Sequence, residues 1–269
     1  MDKISVLVDN NAQEGLASEH GLSLLIESGD RRVLFDTGQG GALRSNAAKM
    51  GVDLSKLDAI VLSHGHYDHT GGLKDCAGNT PVYCHPLVKA PHFSIHDGIS
   101  KDISMPRYAR LALGLSNVHM VEKPTKICER ITISGSIPRK HGWEDAGGPF
   151  YLDSQGSKKD IIPDDMALWI ETPGGLIVCL GCCHSGLINT LSYVKELHPD
   201  EHIRAVVGGL HLLHAKEARL AKTFDALRRF SPDIIIPCHC SGDSAVHALQ
   251  AIFGGIVSPG RAGMVLEFT

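Results

Sequence analysis

Apolar and polar residues follow one another in short β-branched or leucine-rich runs, each closed by Gly, Asn or Asp. In the first third, "KISVLVDN", "GLSLLIESG" and "RRVLFDTG" read as strands joined by tight turns. "GALRSNAAKMG" switches to helical spacing, with Gly51 as its stop. "LDAIVLS" is then a continuous apolar run, the pattern of a strand buried on both faces, and "TPVYCHP" reads as another strand. From Leu87 to about Val121 the pattern loosens, and this stretch predicts a lid or helical insertion. Beyond it, "KICERITISG" reads as a strand and "DMALWIETPGGLIVCLGCCHSG" as two strands about a Pro-Gly-Gly turn. "GLINTLSYVKEL" and "AKEARLAKTFDALRRF" read as helices, the second with basic residues in its last turn. "IRAVVGGLHLL" and "PDIIIPCHCSG" complete the strands. Strands and helices interleave in both halves without a linker, so residues 1–269 read as one domain.

Several of these apolar runs end in histidine-bearing turns. "IVLSHGHYDH", "LIVCLGCCHSG", "AVVGGLHLL" and "IIIPCHCSG" each place imidazoles where a strand stops. Chemistry in layered α/β proteins gathers outside the carboxyl ends of strands, so these turns are expected to share one cavity.

Composition narrows the partners. Hydrophobic residues make up 43% of the 269 and charged residues 21%, enough apolar content for a substantial core. A net charge of -4 leaves no basic footprint for a nucleic acid. No apolar run is long enough to cross a bilayer and the N-terminus lacks a leader pattern, which predicts a cytoplasmic protein without membrane contact. The eight cysteines then read as reduced thiols rather than a disulfide framework. Cys76, Cys84, Cys128 and Cys179 fit as small core residues. Cys182, Cys183, Cys238 and Cys240 sit beside histidines and are the thiols to consider near a metal.

The densest chemistry lies at "LSHGHYDHTGGL", where His64, His66, Asp68 and His69 fall within six residues. Imidazoles two apart on an extended turn can face one point, so His64 and His66 suit one metal, and Asp68 with His69 a second one close by. Mixed imidazole and carboxylate donors suit zinc, manganese or iron. Two donors per ion are too few, and distant strand-end histidines are the natural complement. His20, His92, His96, His119, His198, His202 and His247 read as structural or surface residues. Asp36 and Asp9 read as carboxylates that orient ligand imidazoles, and Arg139, Lys140 and Glu144 as a solvated charged loop.

"HGHYDH" matches the H-x-H-x-D-H motif of the metallo-β-lactamase superfamily, and "LFDTG" at Leu34 to Gly38 matches its strand-end aspartate turn. "GCCHSG", "GGLHL" and "PCHCSG" stand where that superfamily carries further site motifs. Within it, the chain resembles the dihydropterin ribofuranosylaminobenzene phosphate synthase-like group in "GGLHL", in the Gly-Cys-x-His-x-Gly turn and in "SGSIPR" followed by Glu144. The resemblance implies an α+β fold, an αββα four-layer sandwich of two mixed β-sheets flanked by helices. It implies up to two divalent transition metals, zinc first and manganese or iron next. His64 and His66 would hold the first, and Asp68, His69 and His239 the second. Many members carry a bridging Asp where this chain reads "GCCHSG"; His184 is the preferred substitute and Cys182 the alternative.

The chemistry expected of such a centre is hydrolysis of a small, phosphorylated substrate, with pterin-related phosphate chemistry as one case. Asp68 would orient the attacking water and take its proton, and His211 would serve as general acid or substrate-oxygen binder. Thioester or lactone hydrolysis is the alternative reaction, and a non-catalytic metal-bound sensor the alternative class. A homodimer is the assembly considered.

Overall fold

Alternation of side chains along the first strands places one face of each toward a second sheet and the other toward helices, and the computed structural model, which describes residues 1–269, shows both faces buried. Strand β1 (Asp2–Val8) pairs antiparallel with β2 (Ser23–Ser28), and β2 with β3 (Arg31–Phe35). After helix α1 (Leu43–Lys49), the chain enters β4 (Ala59–Val61), parallel to β3. The four-residue helix α2 (Tyr67–Thr70) follows, then β5 (Val82–Cys84), parallel to β4.

Residues 87–121 contain a hairpin, β6 (Phe93–His96) and β7 (Ile99–Asp102), the helix α3 (Arg107–Gly114) and β8 (Val118–Met120). Only the hairpin departs from the main layers. β8 returns to the first sheet, beside β5, where its parallel register pairs Val82 with Val118.

The expected single strand over "KICERITISG" is a hairpin, β9 (Thr125–Cys128) and β10 (Ile131–Ile133), because the polar Glu129–Arg130 pair turns the chain. β11 (Phe150–Tyr151) then pairs with β6 to make a three-stranded sheet in the order β11-β6-β7. The second half continues as β12 (Ala167–Thr172), β13 (Gly175–Leu180), α4 (Leu187–Leu197), β14 (Ile203–Gly209), α5 (Glu217–Phe230) and β15 (Ile234–Cys238). Helix α6 (Asp243–Phe253) and β16 (Val265–Phe268) complete the chain.

Two sheets result, one of seven strands ordered β16-β1-β2-β3-β4-β5-β8 and one of six ordered β15-β14-β13-β12-β10-β9. Between them lies a core of residues such as Ile4, Val6, Ile26, Phe35, Leu168, Ile177 and Val207. Outside the first sheet, Leu43 and Ala47 of α1 and Ala109 and Leu113 of α3 cover Leu7, Leu34 and Ile60. Outside the second, Leu191 and Val194 of α4, Leu227 of α5 and Leu249 of α6 cover Val178 and Val206. Helix, sheet, sheet, helix is the αββα sandwich. No helix is long and apolar enough to cross a membrane.

Candidate metal centre

The strand ends meet at one edge of the sandwich. β4 leads into Ser63 and His64, β13 into Gly181 to His184, β14 into His211, and β15 into His239 and Cys240. Close approach of the first two needs a glycine: a Cβ on Gly181 would lie 2.1 Å from Ser63 Oγ. Asp36, Cys183, His211 and His239 all take positive φ, between 45° and 61°, where non-glycine residues are rare. Such conformations persist only where the surroundings over-determine them, and they gather at functional sites.

Three imidazoles converge first. Ring nitrogens of His64, His66 and His184 lie within 4.8 Å of one another, and all three side chains are buried. The Nε2 atoms of all three have no hydrogen-bond partner. Their protonation follows from their neighbours. Ser63 Oγ donates to Asp36 Oδ2 at 2.6 Å, so toward His64 Nδ1, 2.9 Å away, it acts as acceptor. His184 Nδ1 donates to the carbonyl of Ala146 at 2.8 Å. Both rings therefore carry their proton on Nδ1 and aim a bare Nε2 lone pair at the shared point. Burial, then the crowding of like rings, pushes the pKa of His64 and His184 well below the usual histidine value, and burial does the same for His66. Three buried, neutral, unpartnered imidazole nitrogens are the donor set a transition metal takes, and the residues fit such an ion.

Asp68 and His239 form a second focus. His239 Nε2 stands 3.4 Å from Asp68 Oδ2, and His20 Nε2 stands 3.1 Å from the same oxygen. Burial would raise the Asp68 pKa, but the charge of His69 and donated bonds from His20 and His239 hold the carboxylate well below its ordinary value. His20 thus belongs to the site, contrary to its reading as a structural residue. No local motif surrounds it; the β1–β2 connection, with the Leu22 N–H donating to the Asp68 carbonyl and the Gly21 N–H to Asn10 Oδ1, brings "SEHG" to the histidine-rich turn. His69 turns instead toward His64 and Cys182, whose Sγ lies 3.1 Å from His69 Nε2. His184 and Cys182, the two substitutes for the bridging Asp, both reach the centre, and their donor atoms lie within 4.8 Å of each other and of a His211 ring nitrogen.

Carboxylates behind the converging histidines hold them. Asp36 Oδ2 accepts from His69 Nδ1 at 2.6 Å, and Asp9 Oδ2 accepts from the His239 backbone at 2.8 Å. His92, also read as structural, lies behind His66 with ring centroids 5.1 Å apart. Its Nδ1 pairs with Asp160 at 2.5 Å, while Asp164 accepts from the Gly65 backbone at 2.7 Å. Of the three charged residues read as a solvated loop, Lys140 is exposed and pairs with Glu196 on the surface, but Arg139 and Glu144 are not solvated. Arg139 Nη1 donates to the carbonyl of His184 at 2.8 Å, and the buried Glu144 accepts from the backbone of Ile188 and Asn189 at 3.0 and 2.7 Å. The α4 N-terminus has no side-chain cap of its own, since Gly186 stands there, and Glu144 satisfies its orphan N–H groups from outside.

Of the cysteines flanking these motifs, Cys183 turns its sulfur to Thr190 Oγ1 and Cys238 lies between the sheets. Cys182 and Cys240 face the centre. A cavity of about 330 Å³ opens over it. Phe150, Leu213 and Ile103 form its apolar wall, Lys101, His96 and His214 its polar rim, and His211 reaches in from β14. His211 Nδ1 is buried without a partner, and its ring centroid is 4.3 Å from that of His184.

The metallo-beta-lactamase superfamily model matches residues 19–121, the part holding the histidine cluster. An uncharacterized Methanocaldococcus jannaschii protein, MJ0448, is 33% identical over 255 residues, covering 93% of this chain and 94% of that one. The 7,8-dihydropterin-6-methyl-4-(beta-D-ribofuranosyl)-aminobenzene-5'-phosphate synthase of the same organism is 28% identical over 270 residues, covering 93% and 90%. Among solved structures, Tm1679, described as a metal-dependent hydrolase of the beta-lactamase superfamily, superposes with a TM-score of 0.89 at 31% identity over all of both chains. With its αββα layers, its histidine-bearing strand ends and relatives matching nearly end to end, the chain belongs to the metallo-beta-lactamase superfamily.

Proposed function

We propose that the chain is a metal-dependent hydrolase of a small, phosphorylated molecule, with zinc as the first metal and two metal positions. The observation that carries this reading is the trio of buried Nε2 atoms on His64, His66 and His184, unpartnered and converging. His64, His66 and His184 would hold a divalent ion, which would supply Lewis acidity and an activated water.

The chain's own groups do the rest. Asp68, kept ionised by its histidine neighbours, orients the attacking water and accepts its proton. His211 reaches the cavity beside His184 and donates to the leaving oxygen. The Phe150 wall excludes water from one side, and Lys101 at the rim offers a cation to a substrate anion. A relative that is a 5'-phosphate synthase supports the phosphorylated class. The apolar wall of Phe150, Leu213 and Ile103 favours a second reading, hydrolysis of a thioester or lactone.

Elemental analysis of the purified chain, with turnover of phosphomonoester, phosphodiester, thioester and lactone probes, tests both. Metal uptake, lost with turnover in His184→Ala and in His66→Ala, is the expected result. A chain that takes up no transition metal from a metal-replete medium overturns the reading. Activity confined to the thioester or lactone probe selects the second reaction.

A further inference from the structure

The second metal position lacks a bridging carboxylate, and two sulfurs stand beside it. Cys182 arrives from the end of β13 and Cys240 from the end of β15, one residue after His239. The two Sγ atoms and a His239 ring nitrogen all lie within 4.8 Å of one another. Cys182 Sγ also lies within 4.8 Å of His64 and His69 ring nitrogens. Both cysteines are buried, and both are free thiols.

The backbone makes room for the second sulfur. A Cβ on Gly209, at the end of β14, would lie 2.6 Å from Cys240 Sγ and 2.4 Å from the carbonyl of Gly181. A side chain there would collide with the Cys240 sulfur where it now stands. Cys182 Sγ meets one imidazole, His69 Nε2 at 3.1 Å, and Cys240 Sγ has only a long contact of 3.6 Å to the Cys182 carbonyl, so neither sulfur is held by a backbone group at short range.

We propose that Cys182 and Cys240 are thiolate ligands of the second metal position, together with His239, making it a nitrogen–sulfur site that selects thiophilic ions. This rests on the metal-dependent reading above and adds the ligand set that chooses the ion. As each sulfur–metal bond forms, the thiol proton passes to solvent, and no oxidation state changes. Thiolates favour zinc and cobalt over magnesium and manganese, which prefer oxygen. The first position, built from His64, His66 and His184, has three imidazole donors with Cys182 Sγ at its border, whereas Cys240 reaches only the second, so the second position is the softer of the two.

Cobalt(II) loading of the full chain under a non-thiol reductant tests the assignment. Cobalt content and visible d–d absorbance report whether any ion binds, while near-ultraviolet charge-transfer absorbance reports sulfur bound to it. The parent is expected to show all three signals. Cys240→Ser and Cys182→Ser should each lose roughly half of the charge-transfer band, one sulfur of two, and the double variant all of it. Cys128→Ser, remote from the centre, should keep it. Zinc should also protect two thiols of the parent from a disulfide reagent.

A parent that binds cobalt with d–d absorbance but shows no sulfur band overturns the proposal and leaves the metal centre standing. So does a Cys240→Ser protein that keeps the whole band. A parent that binds no cobalt or zinc overturns both the sulfur site and the hydrolase reading.

Discussion

His69 Nδ1 stands 2.6 Å from Asp36 Oδ2, with both side chains wholly buried, and the same oxygen accepts from Ser63 Oγ at 2.6 Å. One carboxylate at the end of β3 thus sets the ring of His69 directly and the tautomer of His64 through Ser63. Asp36 itself sits at a φ of 60°, a backbone conformation uncommon outside glycine. Replacing Asp36 by Asn keeps the volume and removes the charge. Metal affinity should fall by roughly 10–100-fold, the usual cost of losing such a partner. Titration against a chromophoric chelator measures it, and an affinity equal to the parent's would remove Asp36 from the site.

Glu144 holds the α4 N-terminus through two backbone N–H groups. Glu144→Ala leaves those donors buried and unpaired, and should lower stability by about 1–2 kcal/mol, as loss of a cap does. Urea unfolding of the metal-free chain reads the change. Metal affinity should fall less than in the Asp36 variant, because Glu144 supports α4 and not a ligand ring.

The pair of His92 with Asp160 carries a pH dependence. Burial would lower the His92 pKa, but the bond to Asp160 and the charges of Asp164 and Asp160 raise it above its ordinary value. A histidine with a raised folded pKa contributes stability that is full below its unfolded value, about 6.5, and is lost as pH rises through the folded value. The metal-free parent should therefore lose stability on going from about pH 6 to about pH 9 by more than His92→Asn does. Parallel slopes for the two proteins would show that His92 is not charged in the fold.

Gly65 separates His64 from His66, and a Cβ there would lie 2.3 Å from the carbonyl of Val88 and 3.1 Å from His92 Nε2. Backbone cannot yield as a flexible side chain does, so Gly65→Ala should displace the His64–His66 turn. Metal content should drop well below the parent's while circular dichroism stays close to it. Unchanged metal content would mean that the turn tolerates the shift.

The thiol of Cys179, fully buried between the sheets, is pushed up to about 12 by burial. Thiolate is the reactive form, so iodoacetamide at about pH 8 should leave Cys179 unmodified in the folded chain and alkylate it in urea. Mass spectrometry of peptides distinguishes the two. Labelling of the folded chain at the same rate as the unfolded one would contradict the burial.

Much of this was legible along the chain because it is local. A strand's face alternation, the stop at a glycine and the spacing of His64, His66, Asp68 and His69 are properties of a few consecutive residues, and each appears where the pattern put it. The hairpin at Glu129–Arg130 was not, because two short strands and a polar turn resemble one longer strand when only hydrophobicity is read. Helix α6 and strand β16 were also missed; β16 is half exposed and owes its place to its partner β1.

By itself, then, the sequence determined the layers, the histidine-rich turn and the family, since periodicity and motif spacing are written in neighbouring positions. Only the tertiary structure decided which distant groups join that turn. His20 reaches Asp68, His184 completes the imidazole trio, Cys240 comes beside Cys182, and Glu144 caps α4. These partners are separated by up to 58 residues within a pair and more across the site, for Cys182 and Cys240 are brought together by β13 and β15 on either side of β14. Side-chain convergence of that kind depends on sheet order and on close backbone approach at Gly181 and Gly209, neither of which has a local signature.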